Sequence, residues 1–161
     1  MKKFLKEKRA TDLMTKKVYS VKINTPVKKI VELFAETGVV SVPVVDKDRK
    51  VKGIIRARDL DLRFEEFNPP ISINLLGSIL YLDDLAGFQR EMKKKFGMLA
   101  SDIMIKKVRT MPQEATLHQL LRTMEKHGIY RLPIVNKKGQ LVGMVTNTDI
   151  IRELIKEGKN V

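Results

Sequence analysis

Gly38-Val39-Val40-Ser41-Val42-Pro43-Val44-Val45-Asp46 and Gly128-Ile129-Tyr130-Arg131-Leu132-Pro133-Ile134-Val135-Asn136 are one pattern written twice. Each opens on glycine, runs through an apolar stretch of strand length with one proline, and closes on Asp or Asn. The two are 90 residues apart, and that register holds on both sides. Ala10-Thr11-Asp12-Leu13-Met14 returns as Ala100-Ser101-Asp102-Ile103-Met104, and Lys16-Lys17-Val18 as Lys106-Lys107-Val108. Gly53 and Asp59 return as Gly143 and Asp149. Residues 10–60 thus recur without a gap at 100–150. Copies of a supersecondary unit pack on each other because neither buries its apolar face alone. Two copies also create a pseudo-twofold cleft, the place to look for a function.

Working outward from the quoted stretch gives the unit. Residues 18–23 are β-branched and alternate loosely, which predicts a short strand. Thr25-Pro26 suits a helix start, since Thr caps and Pro favours the first turn. Val27, Ile30, Val31 and Phe34 then form one apolar helix face, and Gly38 is placed to end it. Strands are predicted at 39–45 and 51–55 around a polar turn at 46–50, with a second helix from Ala57. The second copy repeats this with Leu117, Leu120, Leu121 and Met124 on the helix face. Thr116-Leu117-His118-Gln119 has capping-box spacing, and a last helix is predicted over 148–157, closed near Gly158. Each unit reads β-α-β-β-α, and the fold class is α+β. The predicted organisation is a first repeat with its N-terminal segment at 1–60, an insert at 61–99 and a second repeat at 100–161.

The insert differs in character. Residues 62–67 extend the preceding helix until Asn68-Pro69-Pro70 breaks it. Ile71, Ile73, Leu75, Leu76, Ile79, Leu80 and Leu82 follow closely, and Asp83 or Asp84 is placed to cap a helix running to about Phe96. This apolar, helical segment either covers the molecule's own apolar surface or forms a subunit interface.

Composition bounds the function. The chain has 161 residues, 43% of them hydrophobic, as befits one compact domain or two half-domains sharing a core. No run reaches the roughly 18 apolar residues of a membrane span. Residues 1–9 are charged and lack the apolar core of a secretory signal. Without cysteine there is neither a disulfide nor a thiolate zinc site, and a cytoplasmic location is expected. The net charge of +13 should attract anions: nucleotides, nucleic acid or acidic proteins. It is spread thinly, with small clusters at 2–9, 47–52 and 93–95, as a lysine-rich solvated surface would be. Aromatics make up only 6%, which weakens a base-stacking platform.

Catalysis finds little footing. The two histidines, His118 and His127, have no sequence partner suggesting a triad or a metal, and a cation at a helix C-terminus accounts for His127. No phosphate-binding GxxxxGK[ST] or GxGxxG occurs. Glu65-Glu66 and Asp83-Asp84 are adjacent, so on a helix they point apart. No catalytic and no metal-ligating residue is assigned. The end of each repeat is more informative. In Gly143-Met144-Val145-Thr146-Asn147-Thr148-Asp149 a strand gives way to a helix, so hydroxyls and N–H groups converge at a helix N-terminus. A carboxylate there can accept from a sugar diol, although Thr146 or Thr148 capping the helix would explain the same residues.

The doubled pattern resembles a pair of CBS domains, named after cystathionine β-synthase and known as the Bateman module. Three features carry the resemblance: the opening Asp-Leu/Ile-Met, the central stretches quoted above, and a closing glycine followed six residues later by Asp. It covers about two thirds of the chain and leaves the insert outside. It implies two repeats packed about a pseudo-twofold axis, with two clefts that hold adenosine compounds: AMP, ADP, ATP, S-adenosylmethionine or NAD. It implies that Asp149 takes ribose hydroxyls and that Thr146 and Thr148 take ribose or phosphate. Arg131, beside Tyr130, would meet phosphates, and Thr25, Val39, Val40 and Ser41 would frame the adenine. The cleft at Asp59 departs from the pattern, because Arg56 stands where the hydroxyl residue belongs and Ser41 where Arg131 stands. Arg56 or Arg58 supplies phosphate charge there, or Arg56 fills the cleft. One good nucleotide site and one weaker or empty one are therefore expected. The implied function is a non-catalytic adenine-nucleotide sensor acting through a homodimer or a separate effector protein. The alternative is a basic nucleic-acid-binding accessory protein.

Overall fold

The structure is a computed structural model that describes residues 7–64, 72–75, 78–81 and 98–158. The first copy runs α1 (Ala10–Leu13), β1 (Val21–Lys22), α2 (Val27–Thr37), β2 (Ser41–Val45), β3 (Val51–Arg56) and α3 (Ala57–Phe64). An antiparallel hairpin follows, β4 (Ser72–Leu75) with β5 (Ser78–Tyr81). The second copy runs α4 (Ala100–Ile103), β6 (Met111–Pro112), α5 (Leu117–His127), β7 (Arg131–Val135), β8 (Leu141–Thr146) and α6 (Asn147–Gly158). The sheets are β1-β2-β3 and β6-β7-β8, each with a parallel first pair and an antiparallel second pair. A parallel pair needs a crossover, and α2 and α5 supply it. The α+β architecture with two repeated units is as expected. Within the insert, the apolar run carries a hairpin, and the helix expected at 83–96 lies outside the described residues.

Local chemistry sets the element ends. Gly38 and Gly128 close α2 and α5 at φ 68° and 59°, left-handed conformations that a side chain would strain. Thr116 Oγ1 accepts from Gln119 N at 3.3 Å while Thr116 N donates to Gln119 Oε1 at 2.8 Å, the capping box read from the sequence. Thr25 behaves differently: its Oγ1 accepts from Lys22 N at 2.9 Å, and Pro26 holds the cap position of α2 without a side-chain bond. The strand expected at 18–23 is only Val21–Lys22, paired with Val44 and Val45. Proline is the reason. Ile54 gives its N–H and its carbonyl to Ile105, so its partner Pro43 faces β1, where it has no N–H to offer. Pairing with β1 therefore stops at Val44. The strand predicted at 39–45 likewise begins only at Ser41, and the last helix one residue early, at Asn147.

The packing unit is not the sequence repeat, because the copies exchange their opening segments. Ala10 and Leu13 lie in one core with Leu117, Leu120, Leu132, Ile134, Val145 and Ile150. Ala100 and Ile103 lie in the other with Val27, Ile30, Val42, Val44 and Ile55. Backbone hydrogen bonds fix the exchange: Ala10 N to Ala115 O and Leu117 N to Lys8 O on one side, Ala100 N to Thr25 O and Val27 N to Met98 O on the other, at 2.8, 2.8, 2.8 and 2.9 Å. Thr15 then pairs with Met144, and Ile105 with Ile54, so each opening segment extends the other copy's sheet. This exchange explains the glycines of the closing motif. A Cβ on Gly53 would lie 2.6 Å from Met104 Sδ, and one on Gly143 would collide with Met14 Sδ. The methionine that opens one copy packs on the glycine that closes the other.

Candidate functional site

Each sheet ends at a strand-to-helix corner pinned to the start of the neighbouring strand. Ala57 N donates to Val40 O at 2.9 Å, and Asn147 N to Tyr130 O at 3.0 Å. Directly across the last rung, Ser41 pairs with Arg56 in one sheet and Arg131 with Thr146 in the other. Both rungs hold one arginine and one hydroxyl, but on opposite strands.

The residue at the corner decides the state of the carboxylate one turn later. Thr146 N and Oγ1 both donate to Asp149 Oδ2, at 2.8 and 2.7 Å, and Thr146 Oγ1 accepts from Asp149 N at 3.3 Å, so Thr146 caps α6 and Asp149 completes a capping box. Among the described residues Asp149 Oδ1 meets only the exposed Arg152, at 3.3 Å. At the other corner Arg56 Nε and Nη2 donate to Asp59 Oδ2 and Oδ1 at 2.6 and 2.7 Å. That fork is bidentate and engages both oxygens.

Two cavities flank these corners. The smaller, about 240 Å³, lies between Thr15, Lys17, Val18 and Tyr19 on one wall and Val39, Val40 and Ser41 on the other, with Arg131, Met144 and Thr146 between. The larger, about 590 Å³, is its pseudo-twofold mate: Ile105, Lys107, Val108 and Arg109 face Ile129, Tyr130 and Arg131, with Ile54, Arg56 and Arg58 between. Ser41 and Arg131 line both. Ser41 Oγ is buried and has no hydrogen-bond partner among the described residues, at a site common to the two cavities. Small-molecule sites typically occupy about 300–1,000 Å³. Cavity size therefore favours the Arg56 cleft, whereas carboxylate chemistry favours the Asp149 cleft.

The candidate residues fall into three groups. Val39, Val40, Ser41, Arg131 and Thr146 come together in the smaller cleft, with Asp149 bonded behind Thr146. Tyr130, 64% exposed, lines the larger cleft with Arg56 and Arg58, and Asp59 is tied to Arg56. Thr25 sits in the turn after β1 and lines neither cavity, and Thr148 N donates to Asn147 Oδ1 at 3.0 Å within the first turn of α6. Sequence reasoning missed Lys17 and Tyr19, and their echoes Lys107 and Arg109. Their signal was the Lys-Lys-Val repeated behind the opening motif, which enters a cleft only because of the exchange.

Electrostatically the clefts differ. Among the described residues no Asp or Glu lines the larger one, and Arg58, Lys107, Arg109 and Arg131 form no ion pair. Among the described residues, no group of three or more His, Cys, Asp or Glu is placed to hold a metal, and no helix is long and apolar enough to cross a membrane.

Comparison with known proteins gives a consistent picture. The CBS domain profile matches residues 10–65 and 100–156. An uncharacterized protein of Methanocaldococcus jannaschii, MJ1426, is 29% identical over 152 residues, covering 89% of each chain. An inosine-5'-monophosphate dehydrogenase of Thermoplasma acidophilum is 29% identical over 144 residues, but the chain spans 89% of itself and only 23% of that enzyme. In three dimensions the crystal structure of CBSX2 in complex with AMP superposes with a TM-score of 0.70 at 22% identity, covering 94% of this chain and 98% of that one.

Proposed function

The chain belongs to the CBS domain family, and from that premise we propose that it is a non-catalytic regulatory module binding an adenosine-containing ligand between its two copies. AMP, ADP or ATP is the ligand proposed; S-adenosylmethionine and NAD share the adenosine portion. CBSX2, of the same fold, is in complex with AMP. The observation that carries the reading is the Thr146–Asp149 pair, in which Thr146 holds one carboxylate oxygen and the other has, among the described residues, only an exposed arginine as partner. That oxygen accepts the ribose hydroxyls, Arg131 takes phosphate, and Val39, Val40 and Ser41 enclose the base.

Such a module acts by differential binding, the ligand favouring one arrangement of the copies. The output passes through a homodimer or a separate effector protein in the cytoplasm. Ile151 and Ile155, 53% and 55% exposed on α6, continue an apolar groove formed with Leu121, Met124 and Leu154, which supports association through this face. The net charge of +13 favours a second reading, a nucleic-acid accessory protein. Steep salt dependence of binding to arbitrary RNA would mark it.

Thermal melts test the proposal, with AMP, ADP, ATP, S-adenosylmethionine, NAD and a short RNA on wild type and Asp149→Ala. A ligand at about a hundredfold its Kd adds roughly 2.7 kcal/mol, which raises Tm by about 5–10 °C for a chain of this size. No shift with any adenosine compound defeats the sensor reading. A shift that survives Asp149→Ala unchanged defeats the choice of cleft.

A further inference from the structure

We propose that the larger cleft is a polyphosphate site, which binds a chain of phosphates, inorganic or carried by a nucleoside, without reading a ribose diol. The first support is the Arg56–Asp59 fork. A diol addresses a carboxylate by donating two hydrogen bonds side by side, and the guanidinium already does so at 2.6 and 2.7 Å. The family-type ribose acceptor is thus occupied by the protein's own side chain. The second support is charge. With Arg56 neutralised by Asp59, the cavity still presents Arg58, Lys107, Arg109 and Arg131, and among the described residues none of these is in an ion pair and no acid lines the cavity.

These four cations come from three places in the chain: the β3–α3 corner, the segment after α4, and the first residue of β7. All four are exposed, and all four line the same cavity of about 590 Å³. A single phosphate monoester carries roughly 1.5 to 2 negative charges, so it leaves about half of this set unbalanced. A chain of two or three phosphates matches it. Ile54, Ile105, Val108 and Ile129 give the cavity apolar walls, beside which a charge pair is stronger than in bulk water.

The test is calorimetric, on the full chain in the Asp149→Ala background, which removes the carboxylate proposed to read ribose in the smaller cleft. The probes are inorganic tripolyphosphate, ATP and 2′,3′-dideoxy-ATP. Tripolyphosphate should bind, and the two nucleotides should bind equally within about twofold. Lys107→Ala with Arg109→Ala should weaken tripolyphosphate by about tenfold or more. Lys47→Ala with Lys137→Ala, which removes the same charge from exposed turns, should change it by less than about twofold at moderate salt. Arg56→Thr copies the other corner and frees Asp59, so ATP should then exceed dideoxy-ATP by about tenfold. The proposal is overturned by absence of tripolyphosphate binding, by equal losses in the two lysine-containing pairs, or by a diol preference before Arg56 is replaced. Failure of the adenosine reading would appear separately, as absence of AMP binding to wild type.

Discussion

Gly53→Ala tests the exchange of opening segments that builds both clefts. The new Cβ would lie 2.6 Å from Met104 Sδ, 2.9 Å from Met104 Cγ and 3.0 Å from Ile105 O. The backbone cannot yield cheaply, because Ile105 and Ile54 hold each other through hydrogen bonds of 3.1 and 2.9 Å. Met104 must therefore leave its place against the core formed by Val27, Ile30 and Ile55. Overpacking of this kind costs about 1–3 kcal/mol. Gly53 has no positive φ, so the loss of unfolded-state freedom returns about 0.4–1 kcal/mol. The net is about 0.5–2 kcal/mol of destabilisation, or a Tm lower by about 2–8 °C. Met104 is only partly buried, so Met104→Ala alone should cost about 1–2 kcal/mol, below the range for a fully buried methionine. In the Met104→Ala background the two sulfur-side contacts are gone and the close approach to Ile105 O at 3.0 Å remains, so the alanine at position 53 should cost less than it does in wild type. Urea denaturation followed by circular dichroism on the four proteins gives the coupling directly. A favourable interaction of about 1–2 kcal/mol is expected in the double variant. Additivity within about 0.5 kcal/mol would mean that the methionine of one copy does not rest on the glycine of the other, and the exchange argument would fall.

Two further outcomes follow from single contacts. Thr116→Ala removes the acceptor for Gln119 N and should cost about 1 kcal/mol, read as a Tm lower by about 2–4 °C. Glu153 accepts from Lys8 Nζ at 2.8 Å, and this bond, working against burial and helped by Lys156, holds its carboxyl below the usual glutamate value. A depressed folded pKa contributes stability that is fully present above the unfolded value near 4.5 and is lost as pH falls through the folded one. Glu153→Gln should accordingly melt below wild type at pH 7, and the gap should close on acidification below the glutamate range. A gap that persists unchanged at low pH would mean that the charge is not its source.

Much of the fold was legible because repetition doubles every signal. Gly38 and Gly128 share a helix-ending position, and both adopt the left-handed conformation that position requires. The apolar faces of α2 and α5 read correctly from i, i+3, i+4, i+7 spacing, since Val27 and Ile30 are buried, as are Leu117, Leu120 and Met124. The exchange was not legible. Apolar spacing shows that Ala10 and Leu13 are buried, not in which of two similar cores. The length of β1 was hidden as well, because it depends on which side of β2 receives the missing N–H of Pro43, a consequence of register. The residues that close the walls of the clefts inherit this gap. Lys107 and Arg109 follow the opening motif of the second copy, yet they face Arg56 of the first.

The transposed rungs connect these observations. Ser41–Arg56 and Arg131–Thr146 are the same pair of residue types with the strands interchanged. The carboxylate always lies three residues beyond the outgoing strand, so the side chain at that strand's end has first access to it. Threonine there is short: it bonds one oxygen, caps the helix and leaves the other to Arg152 at 3.3 Å. Arginine there is long and forked, and it closes on both oxygens. The incoming strand has the opposite effect, because its first residue borders both cavities. Arg131 brings a guanidinium to the boundary, whereas Ser41 brings a hydroxyl. One interchange thus separates two clefts that the repeat would otherwise make alike. In the proposed reading one keeps a carboxylate for a sugar and borrows its cation from the boundary, while the other gives up its carboxylate and keeps only cations. In that reading the pair would answer to two chemically distinct ligands, and Arg131 and Ser41, which line both cavities, would be where one ligand biases the binding of the other.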